Sequence, residues 1–274
     1  MRKHLRAALA LAALTLGLPA ATAGPRDFVI FATRMGGDTA AAKPYVDRFA
    51  RHLEMVMGWP TQTSVGTFFA SRKEALAALE QTKPGFAVVE PSLYFELRAR
   101  RQAVVLAQVV SRDLNSPQLV VVAKDPAIKT LGDLTGKRLF TQLADSGKYL
   151  SNVVFDAKGP AAERLQLKQV GIVQKGVRAV LRGEADATVL DPEQLAEAKK
   201  LDGGEALRTI YTSPQLPGLL VVAFAHLSDA KKLGTSLIGM CATGGPICKE
   251  LHIENFEVAN AALLSNCEKR YEKP

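Results

Sequence analysis

The sequence predicts an α/β fold built as two lobes. Apolar runs of strand length alternate with amphipathic segments of helix length, a pattern typical of α/β proteins with mainly parallel sheets. Proline-bearing segments at residues 124–126 and 213–217 divide this alternation, so we expect the chain to cross between lobes at both places. Two crossings make a hinge. We therefore assign residues 24–124 and 217–274 to lobe I and residues 125–216 to lobe II.

The strands are predicted from apolar runs bounded by turn residues. They cover residues 27–33, 61–68, 86–89, 104–110, 119–123, 138–141, 166–170, 187–190, 207–212 and 219–224. The first helix is predicted through Tyr45, Phe49, Leu53 and Met57, because a spacing of four places these side chains on one face.

Further helices are predicted between and after these strands. Ser71 is expected to cap the second helix, with Glu74 three residues later completing a capping box. Residues 175–183 form a helix of the second lobe, and three helices are expected to follow the last strand.

The first 23 residues have the three parts of an export signal. Basic Arg2, Lys3 and Arg6 precede an apolar stretch over residues 7–18, and Ala21-Thr22-Ala23 is a small-x-small cleavage site. A retained membrane anchor is the alternative, but this stretch is shorter than the roughly 20 residues that a bilayer span needs. We expect cleavage near this site and an exported mature chain.

The formal net charge of +8 does not indicate a nucleic-acid-binding protein. Without the three basic residues of the signal, 32 Lys and Arg stand against 27 Asp and Glu, a net charge of +5. The charges alternate in sign along helical segments, as on a solvated face, and no basic block is interleaved with aromatic residues. Nucleic acid is therefore not expected as a partner.

The most informative stretch is Thr130 to Lys137 with the loop that follows it. Leu131 and Leu134 are spaced to cover the end of a core, and Gly136 is suited to the positive φ that ends a short helical turn. Further on, Asp145-Ser146-Gly147 places a hydroxyl and free backbone N–H groups at the start of a helix that runs through residues 149–155. Such a helix start is a generic anion site.

This run resembles the start of the second lobe in type II periplasmic solute-binding proteins of the phosphate/phosphite/phosphonate branch. There, Leu-x-Asp-Leu-x-Gly-Lys leads into a ligand loop rich in Ser, Thr and Gly. Residues 90–94 (Glu-Pro-Ser-Leu-Tyr) are similar to the family's Gly-Pro-x-x-Tyr turn, residues 180–187 to its Val-x-x-Gly-x-Ala-Asp-Ala, and residues 213–217 to its return crossing. The resemblance covers most of the chain after the signal.

The resemblance implies the two-lobed type II periplasmic-binding-protein fold, with a ligand held in the cleft and hinge motion closing over it. It implies a periplasmic protein that captures a small anionic or zwitterionic, phosphonate- or phosphate-like solute for the permease of an ABC importer. We expect a monomer without a cofactor or a metal. One departure is the loop Ala144-Asp145-Ser146-Gly147, where the family carries several hydroxyls. Its Asp145 carboxylate must point away from an anion or pair with Lys148.

Ligands in this fold sit outside the carboxyl ends of strands. Residues at those positions are therefore expected to contact the ligand: Thr33, Arg34, Phe68, Phe69, Glu90, Ser92, Tyr94, Ser111 and Arg112 from lobe I, and Ser146, Gly147, Lys148, Tyr149 and Asp191 from lobe II. The cations suit an oxyanion, and the acids would meet a cationic or hydroxylated part of the ligand. Each of these residues also has a purely structural interpretation: the arginines are solvated, Tyr94 caps a core, and Phe68 is buried under the lobe.

All three cysteines, Cys241, Cys248 and Cys267, lie in the last 34 residues. Export permits a disulfide, while three thiols cannot all pair within one chain. A zinc site lacks ligands, because His252 is the one nearby imidazole and no Cys-x-x-Cys spacing occurs. We predict one bridge from Cys241 to Cys248, with Cys248 to Cys267 as the alternative.

Catalytic motifs are missing from the sequence. The four histidines are scattered, no Gly-x-Ser-x-Gly elbow occurs, and the Gly pairs at 36–37 and 244–245 lack nucleotide-binding spacing. Binding is therefore favoured over catalysis. Two alternatives stay open: an enzyme on the same fold, which would need an acid, base or nucleophile with a shifted pKa in the cleft, and a ligand sensor that acts on a membrane receptor.

Overall fold

The computed structural model describes residues 26–33, 38–101, 103–111, 116–241 and 246–273. The predicted export signal and two expected ligand residues, Arg34 and Arg112, lie outside the described residues. Within the described part of the chain, no helix has the length and apolar character that a membrane span requires.

Strands and helices alternate through the described ranges. The strands are β1 (Phe28–Phe31), β2 (Gly66–Phe69), β3 (Phe86–Val89), β4 (Val104–Val110), β5 (Val120–Ala123), β6 (Arg138–Thr141), β7 (Gln166–Gln169), β8 (Ala187–Leu190), β9 (Arg208–Thr212), β10 (Leu220–Ala223) and β11 (Asn255–Glu257). The helices are α1 (Thr39–Met57), α2 (Arg72–Thr82), α3 (Pro91–Arg101), α4 (Gly147–Tyr149), α5 (Val173–Leu181), α6 (Pro192–Ala198), α7 (Ala230–Met240), α8 (Pro246–Glu250) and α9 (Ala261–Tyr271). A π-helical turn, Leu150–Val154, continues α4 directly.

The strands form two sheets, one in each lobe. The sheet of lobe I has the order β11-β4-β10-β3-β1-β2, and the sheet of lobe II has the order β7-β6-β8-β5-β9. In lobe I, β1 pairs in parallel with β2 and β3, whereas β10 runs antiparallel to β3 and β4. In lobe II, β6 pairs in parallel with β7 and β8, whereas β5 is antiparallel to β8 and β9. Both sheets are thus mixed, where the sequence predicted mainly parallel sheets.

The first crossing lies between β4 and β5. The prediction that residues 119–123 belong to lobe I and that the crossing lies at residues 124–126 is wrong, because β5 pairs within the second sheet. All four side chains of β5 are buried, and a continuous apolar run of this kind suits the core of either lobe. Its sequence therefore does not indicate which sheet it joins. The return crossing runs between β9 and β10 and includes residues 213–217.

Each face of the first sheet has its own core, because side chains alternate along a strand. On one face, Phe28 stacks on Phe86 at 4.9 Å between ring centroids and meets Phe49 of α1 edge-on at 5.7 Å. Leu53 and Met57 of α1 are buried there as predicted. Tyr45, predicted on the same face, is instead 46% exposed.

A second cluster fills the other face of the first sheet and continues into lobe II. It joins Val29 and Val89 of lobe I to Val121, Leu139 and Leu150 of lobe II. The two lobes therefore share one continuous apolar core. A third, smaller cluster lies between the second sheet and helices α5 and α6.

Several local predictions are confirmed. Ser71 caps α2 by accepting a hydrogen bond from the Glu74 N–H, and Gly136 has φ +75°. The Cys241–Cys248 disulfide is present, and Cys267 is a free, buried thiol.

The second strand starts later than the predicted residue 61. The buried Glu54 carboxylate accepts hydrogen bonds from the N–H groups of Gln62, Thr63 and Ser64 at 2.8–3.0 Å, which holds this segment out of the sheet. A carboxylate that collects several backbone N–H groups in this way fixes the conformation of the segment that donates them.

Candidate functional site

A cavity of about 100 Å³ lies between the lobes at the carboxyl ends of β1, β3 and β6. This is the edge where α/β folds bind ligands. The polar residues that line it are Thr33, Glu90, Ser92, Ser116, Thr141, Gln142, Tyr149 and Gln194. The rest of the lining comes from Pro91, Leu119, Leu143, Val173, Val189 and residues 216–219.

Thr33 and Glu90 form the lobe I wall of the cavity. The Thr33 N–H and hydroxyl both donate to Glu90 Oε1, at 2.5 and 2.7 Å. The two residues meet because β1 and β3 are parallel neighbours, so the segments that follow them emerge side by side. Glu90 is the one carboxylate among the described residues that line this cavity.

Ser92 is held in place by Arg72, a buried arginine that was not predicted from the sequence. Arg72 Nη1 lies 3.5 Å from Ser92 Oγ, and Arg72 Nη2 donates to the Ser92 carbonyl at 3.3 Å. Nη2 also pairs with the Glu96 carboxylate. Arg72 stands in the first turn of α2, directly after β2, and that position at a strand's carboxyl end was the available signal.

Gln142 belongs to the lobe II wall of the cavity, and its side chain forms a hydrogen bond with lobe I. Its Nε2 donates to the Thr33 carbonyl at 3.0 Å and to the Gly171 carbonyl at 3.3 Å. Gln169 in turn donates to the Gln142 carbonyl at 3.0 Å. Gln142 directly follows β6, so its position at a strand's carboxyl end was the signal that could have identified it, although the residues predicted from this region began at Ser146.

Tyr149 closes the cavity from lobe II and is buried. Burial raises the pKa of its phenol, and the nearby Cys267 and Glu90 groups act in the same direction. The phenol therefore stays neutral at physiological pH and offers a donor hydrogen at the cavity wall.

Phe68 and Tyr94 were expected to contact a ligand, but both belong to cores. Phe68 is 1% exposed and packs in the lobe I cluster with Phe28, because β2 runs on to Phe69 and the Phe68 side chain faces the core. Tyr94 is 4% exposed, and its ring lies 5.2 Å from that of Phe95. Burial raises the pKa of the Tyr94 phenol, which lies beside Arg98 on α3.

Asp191 and the Ser146 loop also have structural roles. Asp191 caps α6, where its Oδ1 accepts from the Gln194 N–H at 2.7 Å and Gln194 Oε1 accepts from the Asp191 N–H at 3.0 Å. At Gly147 a Cβ would come within 2.7 Å of the Ala162 Cβ, so close packing requires glycine there. Ser146 starts the short helix behind this wall.

Lys148 and Asp145 do not form the pair considered from the sequence. Lys148 is exposed, with its Nζ 5.1 Å from the centre of the Tyr271 ring, and Asp145 is exposed at the outer edge of the cleft. Ser111 lies in an adjoining groove rather than in the cavity lining. Among the described residues, no group of three or more His, Cys, Asp or Glu side chains gathers to hold a metal.

Comparison with known proteins identifies the family. Residues 39–264 match the family model described as "ABC transporter, phosphonate, periplasmic substrate-binding protein". The chain belongs to this family. Its members are periplasmic binding components of transporters and not enzymes. No protein of curated function matches the chain significantly by sequence.

Solved structures share the fold of this phosphonate-family binding protein. A binding protein of an ABC phosphonate transporter from Pseudomonas aeruginosa has a TM-score of 0.60 and 17% identity, covering 90% of this chain and 87% of that chain. PhnD1 from Prochlorococcus marinus in complex with methylphosphonate has a TM-score of 0.62 and 14% identity, covering 90% of this chain and 97% of that chain. A protein from Xanthomonas citri bound to ATP has a TM-score of 0.69 and 12% identity, covering 90% of this chain and 97% of that chain. The predicted two-lobed periplasmic-binding fold is confirmed.

Proposed function

We propose that this binding protein captures a small organic phosphonate in the cavity between its lobes and delivers it to the permease of an ABC importer. The observation that carries the proposal is the Gln142–Thr33 hydrogen bond, which joins the lobes at the cavity that both of them line. A ligand held there contacts both lobes, so binding favours their closed arrangement. Family membership supplies the transport role.

The lining of the cavity favours an anion that carries a small apolar group. The cavity is lined by hydroxyl and amide groups of Thr33, Ser92, Thr141 and Gln142 and by the apolar side chains of Leu119, Leu143, Val189, Leu216 and Leu219. Pockets of this kind orient a ligand by a few polar groups and bury the rest of its surface. A related protein holds methylphosphonate, which makes that compound a suitable first probe.

Glu90 restricts which anions fit. A carboxylate in the wall repels a fully ionised oxyanion, but it accepts a hydrogen bond from an anion that still carries a proton or an ammonium group. A hydrogen phosphonate has an O–H to donate, and an aminophosphonate has an ammonium group. A sulfonate without an amino group has neither. We therefore propose selection for phosphonates over simple sulfonates.

The proposal also includes three expectations from the sequence, which concern two arginines near the ligand, the monomeric state and the export signal. Arg34 directly follows Thr33 in the chain, and with Arg112 it remains our candidate for the cation that faces the oxyanion. We also propose that the protein acts as a monomer in the periplasm after removal of residues 1–23. N-terminal sequencing of the exported protein tests the cleavage and should begin near Gly24.

Calorimetric titration tests the binding function. The protein is unfolded and refolded first, to remove any ligand from the host, and is then titrated with methylphosphonate, 2-aminoethylphosphonate, inorganic phosphate and methanesulfonate. We expect saturable binding of a phosphonate and much weaker binding of methanesulfonate. We also expect the phosphonate to compact the molecule, as measured by small-angle scattering. Absence of phosphonate binding, or turnover of a phosphonate, would contradict the proposal. Stimulation of a sensor kinase rather than of a permease ATPase would favour the sensor alternative.

A further inference from the structure

The last helix, α9, is tied by its Arg270 to the second lobe. Arg270 Nη1 donates to the Val153 carbonyl at 3.1 Å and lies 3.7 Å from Asp156 Oδ1. Arg270 Nη2 lies 3.0 Å from the Cys267 sulfur. The arginine side chain is 13% exposed, so these contacts are largely shielded from water.

The Val153 carbonyl needs this partner because the helix is irregular there. Within the π-helical turn the Phe155 N–H bonds to the Leu150 carbonyl, and beyond it the Ala157 N–H bonds to the Ser151 carbonyl. Carbonyls at a helix end that lack a main-chain donor are often satisfied by a basic side chain. Arg270 has this role although it comes from a helix that follows β11 of lobe I.

Asn152 ties the carboxyl end of α9 to the same turn. Its Nδ2 donates to the Tyr271 carbonyl at 3.4 Å and to the Lys273 carbonyl at 2.9 Å. Lobe I holds α9 on the opposite side through the ion pair between Arg98 and Glu268.

Three aromatic rings connect α9 to the cavity wall. The Tyr149 ring stacks on Phe95 with 6.1 Å between centroids and 22° between planes, and Phe95 stacks on Tyr271 with 5.6 Å and 25°. Tyr149 stands immediately before the π-helical turn that Arg270 and Asn152 hold. The position of Tyr149 in the cavity therefore depends on α9 through the backbone of the turn and through the ring stack.

We propose that Arg270 is a positioning residue for the ligand cavity, which fixes Tyr149 by anchoring the π-helical turn to α9. The turn is the part of the wall with irregular backbone bonding, and π-helical turns are frequent at functional sites. The claim rests on the proposed function for what the cavity binds. The placement of Tyr149 itself needs no ligand.

The test compares Arg270→Met and Arg270→Lys with a matched control, Arg48→Met. Arg48 also pairs with an acid, Glu250, but on the surface of lobe I away from the cavity. Fluorotyrosine is placed at position 149, and its fluorine resonance is recorded without ligand. We expect a second or broadened resonance in Arg270→Met, a smaller change in Arg270→Lys and none in the control. A single unchanged resonance in Arg270→Met overturns the proposal.

Affinity for methylphosphonate then shows whether the positioning matters for binding. We expect Arg270→Met to weaken it about two- to tenfold, the effect of losing one hydrogen bond of ordinary strength, and Arg270→Lys to recover part of the loss. In protein that already carries Tyr149→Phe, Arg270→Met should weaken the affinity by less than about a further twofold, because Arg270 acts through Tyr149. Equal losses in both backgrounds overturn the positioning role. If the wild-type protein binds no probe, the proposed function fails, while the fluorine measurement still decides the placement of Tyr149.

Discussion

Gln142 of lobe II donates from Nε2 to the backbone carbonyl of Thr33 in lobe I at 3.0 Å. The same amide also reaches the Gly171 carbonyl of its own lobe, at 3.3 Å. The side chain is therefore already held from lobe II, and the bond to Thr33 orders few additional torsions when the lobes meet. Because Thr33 itself binds Glu90, this bond connects lobe closure to the carboxylate that faces the cavity.

Gln142→Ala is expected to weaken ligand binding. The variant loses a bond that forms between the lobes, so the closed state becomes less favourable by about 0.5–1.5 kcal/mol and the affinity falls by about two- to tenfold. Calorimetric titration with methylphosphonate measures the loss. Gln166→Ala is the matched control, because Gln166 Nε2 bonds to Gly136 within lobe II alone. Equal affinities for wild type and Gln142→Ala would refute a role in closure.

Glu90→Gln is expected to change which anions bind. The amide carbonyl still accepts from Thr33, but the wall loses its negative charge and its charge-assisted bond to a ligand proton. The affinity for methylphosphonate should fall and that for methanesulfonate should rise, so the ratio of the two drops by at least about tenfold, or 1.4 kcal/mol. Parallel titrations with both ligands measure it. Glu80→Gln on the exposed face of α2 is the control, and a ratio that stays at the wild-type value would refute the selection by Glu90.

The sequence predicted the regular parts of the fold because they depend on local patterns. β3, β4, β6 and β8 have the predicted bounds, since each is a short apolar run between turn residues. β11 was missed, because its three residues, Asn255–Glu257, alternate in burial and include only one buried apolar side chain. The sheet that β5 joins depends on pairing between distant segments, which no local pattern encodes.

The candidate site was predicted in position but not in side-chain direction. Thr33, Glu90, Ser92 and Tyr149 line the cavity, because they follow strands or begin the helix behind one. Their contact with a ligand stays a prediction. Phe68 does not line the cavity, because its position within the strand turns its side chain into the core. Gln142 and Arg72 also follow strands, so their positions were an available signal, but their contacts depend on how the lobes and helices pack, which no local pattern encodes.

Gly147→Ala is expected to destabilise the protein through packing rather than through a lost ligand contact. The added Cβ would lie 2.7 Å from the Ala162 Cβ, which is fixed to the backbone and cannot rotate away. Overpacking of this kind costs about 1–3 kcal/mol of unfolding free energy. Urea unfolding measures it, with Gly239→Ala in α7 as the control, since no atom lies within 4 Å of the Cβ added there. The control should be neutral or stabilising, and equal stability of the two variants would contradict the packing argument.

Asp186 stabilises lobe II in a pH-dependent way. Its Oδ2 accepts from the Arg138 backbone N–H at 2.8 Å and from Nε at 3.1 Å, and Oδ1 accepts from Nη2 at 2.9 Å. These bonds join the start of β6 to the residue before β8. Asp186, the acid in the segment at residues 180–187 that resembles the family motif, therefore has a structural role. The hydrogen bonds from Arg138 hold the pKa of Asp186 below its ordinary value.

A carboxyl whose pKa is lower in the folded state stabilises that state above its unfolded pKa of about 3.9, and the contribution is lost as the pH falls through the folded pKa. Asp186→Asn should therefore cost about 1 kcal/mol at pH 7, as expected for an ion pair that is partly exposed to solvent. The cost should be the same at pH 5.5 and should shrink as the pH falls below about 4, because the carboxyl then takes up a proton first in the unfolded state and, at lower pH, in the folded state. Urea unfolding at several pH values measures this difference, with the exposed Asp202→Asn as the control. A cost that persists unchanged at pH 3 would show that the charge of Asp186 is not the source of the stabilisation.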